Sequence, residues 1–582
     1  MYRTVCVFAL LRVFVLLVVL AGKPAAANEL AQQAFEVLNS RCFGCHGQRF
    51  SVPDFNIRDH EGLLAETNAY IVPGKPEESV LWQRVGIDRD MPPLKHSPKG
   101  LPAVELETIE HWIRNGAPKW DAVPERTPIT ESEVLRTINN YLSELNPNDV
   151  SSMRIFSLTH LHNNPTVSPA ELRLYRAALS KAINAMSRGA RIVVPKAIND
   201  QQTLFALDLR QVGWDGGGAW SEVLSEYPYG LAPMQDEERD LFVRIRKLYG
   251  EFEFDGIAYV RADWFAAVAT NSQRNGLYHT LADIPLTLTE LSQRLGIDIP
   301  ANFRNGTAKR AGMSKSGVST QNRLIEVHNQ GALWISYDFK GQAGRSSLAR
   351  FPLGPNFSGN VFSQFAFRHD GGEIIFELKN GLHGYMLVNS AGERINDGPI
   401  EIVFDKNLTS GNPVIVNGLS CIACHREGLQ PLRDDIRDGH ARRFVAAAHD
   451  KVRQLYLPKA EMDDIISDTN ERFVRALEEA VGPFFEEGYD VKRNEPLSFV
   501  AAAYDRDIDI TMATRELGIL DQDASIQQRI RDSADIIGFG VGPLGDDDGV
   551  VKRRFWESDL DAGVSVFQRM ALEFARGSSV VH

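Results

Sequence analysis

Cysteine is scarce in this chain, with five in 582 residues. So sparse a supply excludes a small scaffold built on disulfides, and it makes the position of each cysteine informative. Long apolar runs are missing too. The run from Val13 to Gly22 falls well short of the roughly 20 residues that a membrane-spanning helix needs. The central region contains no Walker A loop, nucleophile elbow, H-E-x-x-H or dinucleotide fingerprint. Basic excess is absent as well. A net charge of −13 argues against nucleic acid or anionic lipid as partners, and for basic ones.

What is present is ordinary globular material. Hydrophobic residues make up 43% and charged residues 24%, ample for several cores in a chain whose length suggests three or four domains. At the amino end, Arg3 and Arg12 lead into the apolar run, and Ala25-Ala26-Ala27 offers a small-residue cleavage site before Asn28. This pattern predicts a signal peptide over residues 1–27 and an exported, periplasmic setting. Cys6 leaves with that leader. Four cysteines then remain in an oxidising compartment, where a disulfide is the ordinary expectation.

Their neighbours point elsewhere. The chain reads Cys42-Phe-Gly-Cys45-His46 and, far downstream, Cys421-Ile-Ala-Cys424-His425. Both are C-x-x-C followed at once by histidine, the pattern of c-type haem attachment. Positions i, i+3 and i+4 share one helix face, so two thiols reach one porphyrin edge while the next imidazole lies under the iron. A zinc ribbon fits poorly, because its paired knuckles usually sit about 15–20 residues apart. A thioredoxin-like redox pair fits poorly as well, since neither copy follows a strand in a βαβ pattern. Two covalently held haems c are the expectation, with Cys42, Cys45, Cys421 and Cys424 as attachment residues and His46 and His425 as iron ligands.

Residues 28–123 read as a small helical unit. Ala31, Ala34, Phe35 and Leu38 mark one face of an opening helix, and Leu106, Ile109 and Ile113 mark a closing one that ends at Gly116. Between them stands Met91-Pro92-Pro93. Two prolines stiffen the loop just after the methionine, so a thioether can be presented to iron at low entropic cost. Met91 is therefore the expected second axial ligand of the first haem. Four segments in order, Cys42-Phe-Gly-Cys-His-Gly47, Ile71-Val-Pro-Gly-Lys-Pro-Glu-Glu-Ser79-Val-Leu-Trp, Met91-Pro-Pro and Trp112-Ile-Arg-Asn-Gly-Ala117, resemble the planctomycete-type cytochrome c domain. The resemblance spans roughly residues 30–118. It implies a class I cytochrome c-like fold, Cys42 and Cys45 as thioether sites, and His46 and Met91 as axial ligands.

The expected fold class is multidomain. An all-α cytochrome c-like haem domain over 28–123 precedes a central α+β region with antiparallel strands over 124–418, and a helical haem region fills 419–582. In the central region, helices are predicted over Ser132–Leu145, Ser168–Arg188, Glu237–Leu248 and Thr289–Leu295. Strands are predicted at Arg191–Pro195, Leu204–Leu209, Ile257–Arg261, Leu324–His328, Leu333–Phe339, Glu373–Leu378, His383–Val388, Glu401–Asp405 and Pro413–Asn417. Asn380-Gly381 predicts a hairpin turn. Beyond the second motif, helices are expected over Leu432–Leu455, Lys459–Val481, Thr511–Leu517 and near Val564–Ala575.

No Met-Pro-Pro follows Cys424-His425, which leaves the sixth ligand of a second haem open among His369, His383, Met386, His440, His449, Met462, Met512 or none. Three weaker signals are read blandly. Asp505-Arg-Asp507-Ile-Asp509 with Glu516 echoes an EF-hand loop, but Ile510 stands where its glycine belongs, so a strand or turn leading into a helix is expected. Asp546-Asp547-Asp548 reads as a solvated loop. Thr159-His160-Leu161-His162 places two histidines on one face of a strand without a metal-ligand spacing.

These observations point to a periplasmic dihaem c-type cytochrome that passes single electrons to redox protein partners. The alternatives are a dihaem peroxidase-like oxidoreductase with an open second haem, or a haem-tethered ligand-binding or sensing protein.

Overall fold

In a computed structural model, the described residues are 29–38, 41–42, 46, 55–57, 59–65, 67, 69–91, 100–120, 126–250, 254–316, 319, 321–405, 409–440, 444, 446–485, 491, 495–520 and 522–582. The predicted leader, Cys45, Pro92 and Pro93 lie outside them. Contacts divide the chain into two units. One comprises residues 1–131, 159–172 and 506–560; the other comprises 132–158, 173–505 and 561–582. Among the described residues, no helix is long and apolar enough to cross a membrane.

Described elements of the first unit before residue 131 are all helical or turn-like. Helix α1 covers residues 29–38 and buries the predicted face, with Ala31, Ala34, Phe35 and Leu38 at most 3% exposed. Helix α2, Ala103–Arg114, buries Ile109, Trp112 and Ile113 in the same core. Arg41 ties the two regions together. Its guanidinium donates to both carboxylate oxygens of Glu105 on α2, at 2.9 and 2.7 Å. The Ile71–Ser79 segment is a turn held from inside. The fully buried Ser79 hydroxyl accepts the Val72 N–H at 2.9 Å and donates to the Lys75 carbonyl at 2.9 Å. The later segment of this unit places the EF-hand-like carboxylates on separate partners. Asp509 caps helix Ile510–Glu516, Asp507 pairs with Lys552, and Glu516 pairs with Arg553. The turn-into-helix reading holds there, and Asp546–Asp548 is exposed loop.

The second unit contains two sheets of functional interest. The smaller uses β1 (Met153–Ser157), β2 (Lys196–Ala197), β3 (Leu204–Asp208) and β4 (Val260–Arg261) in the order β2-β3-β1-β4, with β1 antiparallel to β3 and parallel to β4. The larger is a six-stranded antiparallel meander. It consists of β5 (Lys309–Met313), β6 (Arg323–His328), β7 (Leu333–Asp338), β8 (Gly371–Glu377), β9 (His383–Asn389) and β10 (Arg394–Ile395), each strand beside the next. Register sorts its side chains by face. Met313 opposes Arg323, Arg323 opposes Asp338, Trp334 opposes Ile375, and Ile375 opposes Tyr385. These therefore share one face with Glu373, two residues before Ile375. The other face carries Arg310, Glu326, His328 and Tyr337, a fully buried polar cluster in which the Tyr337 hydroxyl donates to Glu326 at 3.1 Å.

Helix α3 (Leu419–Cys424) and helix α4 (Lys459–Val481) pack over the first face. The molecule is thus multidomain, with helices and several antiparallel sheets.

Several predicted elements come out differently. Residues 191–195 are not a strand, because Pro195 has no N–H to give a ladder, and pairing starts at Lys196. Glu401–Asp405 forms no strand, opening in a turn at Glu401 and Ile402, and only Ile415–Val416 of the next candidate pairs. Thr159–His162 is a helical turn rather than a strand, with His162 Nε2–H donating to the Thr127 carbonyl at 3.1 Å. The long helix expected over Leu432–Leu455 is confined to Ala446–Leu455 behind a π-turn at Ile436–His440, because the Asp434 carboxylate accepts the Ile436 and Arg437 N–H groups and sets a separate start.

Candidate functional site

The first motif lies against the core of the first unit. Cys42 and Met91, 49 positions apart, both pack on the cluster formed by Phe35, Leu38, Trp112 and their neighbours. The His46 N–H donates to the Cys42 carbonyl at 2.8 Å. The imidazole is set edge-on against Phe55, ring centroids 4.8 Å apart. Its Nδ1 is buried and meets no hydrogen-bond partner among the described residues. Burial, helped by Arg84, lowers the His46 pKa and favours the neutral ring. A neutral imidazole with its lone pair free is what a metal requires. Arg84 also shapes the methionine side. Its carbonyl accepts the Met91 N–H at 3.3 Å, and its guanidinium grips Asp90 from a π-helical turn, Gln83–Ile87.

The second motif lies in the second unit, at the wall of a cavity of about 1120 Å³. That volume exceeds the roughly 300–1,000 Å³ of ordinary small-molecule sites. Its floor is the first face of the six-stranded sheet, including Ile325, Trp334 and Ile375, and α3 presents Cys421, Cys424 and His425 into it. The chain turns into α3 through Gly418, whose φ is +86°, and a Cβ there would come within 2.4 Å of the Thr270 carbonyl oxygen. After α3 the chain is clamped from α4. The Asn470 amide accepts the Leu429 N–H at 2.7 Å and donates to the Leu429 carbonyl at 3.0 Å.

His425 is oriented from two sides. Its Nδ1 lies 3.1 Å from the Gly428 carbonyl. A carbonyl only accepts, so Nδ1 carries a proton and Nε2 is the nitrogen left to face Glu373. Tyr385 of β9 stacks on the ring, centroids 5.8 Å apart and planes 28° apart. Nε2 faces Oε1 of Glu373 at 3.6 Å. Arg323 Nη2 holds the other oxygen of that carboxylate at 3.0 Å and also pairs with Asp338. Burial works against ionising Glu373, yet the contacts with His425 and Arg323 prevail and hold its pKa down at about 2.

Cys421 and Cys424 are both free thiols. Burial, with Glu373 nearby, pushes the Cys421 pKa well up and that of Cys424 to about 11. Reactive dithiol pairs work through a lowered thiol pKa, and burial moves this pair in the opposite direction. Two free thiols, an imidazole with one committed nitrogen and a large, mostly apolar cavity fit a covalently held porphyrin. Among the described residues, no three His, Cys, Asp or Glu side chains gather to bind a bare metal ion. A porphyrin brings four nitrogens of its own and needs no such cluster.

Of the sixth-ligand candidates, none lines this cavity. Met386 points to the opposite sheet face, and His369 packs edge-on against Tyr337 of that face. His449 is on helix Ala446–Leu455 beside Asp450, Met462 is buried on α4, and Met512 belongs to the first unit. The His440 side chain lies outside the described residues. His383 shares the Tyr385 face and stacks on Phe473 at 4.5 Å. Among the charged residues that line the cavity, Arg323 and Glu373 escaped sequence reading. Alternation along β6 and β8 places them, but nothing local says which alternate face meets a cofactor.

No curated protein and no solved structure matches this chain. Residues 42–95 match the planctomycete cytochrome C family, which implies haem c in this part of the chain and an electron-transfer role for it.

Proposed function

We propose that this protein is an exported dihaem c-type cytochrome that relays single electrons. The observation that carries the second haem is the placing of Cys421, Cys424 and His425 together at the wall of one cavity of about 1120 Å³. The first haem rests on the family match and on Cys42 and Met91 sharing one core with His46 adjacent. In each centre the iron porphyrin supplies the reversible one-electron couple. The chain's residues fix its position, exclude water and set its potential.

On this reading His46 and Met91 hold the first iron, and no position is left for a substrate. Thioethers from Cys42, Cys45, Cys421 and Cys424 keep both cofactors from dissociating outside the cytoplasm. Export rests on the leader pattern of residues 1–27. The net charge of −13 suits docking to a basic redox partner, with association slowing as salt rises.

Protein-film voltammetry on the mature full-length chain tests the relay. The expected result is two reversible one-electron waves, unchanged by added peroxide. A catalytic reduction current with peroxide would overturn the relay in favour of an oxidoreductase.

A further inference from the structure

We infer that Glu373 is the sixth ligand of the iron held at the second motif, opposite His425. This rests on the reading that a haem is attached there.

Three observations converge. The first is position. The Gly428 contact leaves Nε2 as the metal-binding nitrogen of His425, and the group facing that atom is Glu373 Oε1, at 3.6 Å. Two donors bound to opposite sides of one metal, each at roughly 2.0–2.2 Å, stand about 4 Å apart. Carboxylate and imidazole are thus already nearly at that spacing. The second is rigidity. Glu373 Oε2 is held by Arg323 at 3.0 Å, and the Glu373 N–H donates to Ser336 Oγ at 2.7 Å, so Oε1 is the oxygen left for a metal. The third is charge. Arg323 serves both Asp338 and Glu373, at 3.0 Å each, so two carboxyl groups share one guanidinium in a nearly buried cluster. An unpaired buried charge is costly. A ferric porphyrin core carries one net positive charge and supplies a second cation.

The rival donors are worse placed. Met313 also lines the cavity, but it stands on β5, three strands from β8. At about 4.8 Å per strand that is roughly 14 Å of sheet, too far to share an iron with a group beside Glu373. His383 stacks on Phe473 and does not line the cavity. A carboxylate is a hard, anionic donor that favours ferric iron, whereas a thioether raises the potential. The second haem is therefore the lower in potential of the two.

Wild type and the variants Glu373→Gln, Glu373→Asp, Met313→Leu and His383→Phe, matured as full-length chains, are compared by haem stoichiometry, ferric EPR and absorption spectra, and redox titration. Wild type is expected to show one low-spin haem and one ferric haem with an oxygen donor. Glu373→Gln, which keeps shape and removes charge, shifts the midpoint potential of the second haem upward and changes its EPR signal. Glu373→Asp, which keeps the charge on a shorter arm, gives a smaller shift and stands in if Glu373→Gln does not fold. Met313→Leu and His383→Phe leave that signal unchanged. Two haems per chain with spectra and potential indifferent to both Glu373 variants would overturn the assignment. A second-haem signal that disappears in Met313→Leu or His383→Phe would do the same. One haem per chain would remove the underlying dihaem reading instead.

Discussion

Tyr385 and His425 face each other ring to ring, 5.8 Å between centroids with 28° between their planes. The contact joins β9 to the end of α3 and fixes the rotation of the one imidazole among the described residues that lines the cavity. Behind it stands Tyr278, whose hydroxyl accepts the Tyr385 N–H at 3.0 Å and whose ring lies 2.9 Å from where a Cβ on Gly418 would be. Sheet, tyrosine pair and helix start therefore form one mechanical chain behind the second motif.

Removing the stacked ring tests that chain. Tyr385→Ala empties a site that is 2% exposed and costs about 3–5 kcal/mol of stability, as other large aromatic truncations do. Tyr385→Phe keeps the ring and is expected to retain both haems and a near-native melting temperature. Thermal unfolding together with haem stoichiometry reads both effects.

Gly418→Ala is expected to harm the second site selectively. The new Cβ meets the Thr270 carbonyl oxygen at 2.4 Å in a backbone conformation with φ +86°, a combination costing about 2 kcal/mol or more. The readout is loss of the second haem with the first retained. Equal loss of both, or of neither, would argue against the role assigned to this turn.

Behind the sheet, Arg310 and Glu326 are paired with both side chains 1% exposed. Glu326→Gln leaves a buried cation without its partner and is expected to cost about 3–5 kcal/mol. The same pair gives an acid dependence. Burial opposes ionisation of Glu326, but Arg310 and His328 outweigh it and hold its pKa at about 2. A carboxyl group depressed in this way adds stability in full above its unfolded value of about 4.5. That stability drains away as pH falls from there towards about 2. Melting temperatures taken down this range are expected to fall more steeply in wild type than in Glu326→Gln.

At the first centre, Met91→Ala is expected to convert a six-coordinate low-spin haem into a high-spin one that binds added cyanide. Met91→His restores six coordinates at a lower potential, because imidazole replaces the thioether. Absorption spectra and redox titration distinguish the two, and an unchanged spectrum in Met91→Ala would remove Met91 from the iron.

Much of this architecture was legible where one residue pattern carries one physical demand. The two C-x-x-C-H segments announce themselves, and the apolar face of α1 and the full span of α4 follow from helical periodicity. Strands β6 to β9 are legible for another reason, each being a short run rich in branched and aromatic residues. Strand β5 was missed because Lys309-Arg-Ala-Gly-Met313 has almost no apolar alternation. It pairs because Arg310 is buried against Glu326 and Gly312 admits Ile436 closely. The cavity was illegible for a different reason. Arg323, Trp334, Glu373 and Tyr385 come from four strands and meet only through register, a long-range property that no local window contains.

The most direct measurement is the intact mass of the mature chain after denaturation in acid and solvent, where only covalently bound cofactor survives. The account predicts a mass above that of the polypeptide by two haems, with both peptides containing Cys42–His46 and Cys421–His425 modified. A mass increase of one haem, or of none, would contradict it.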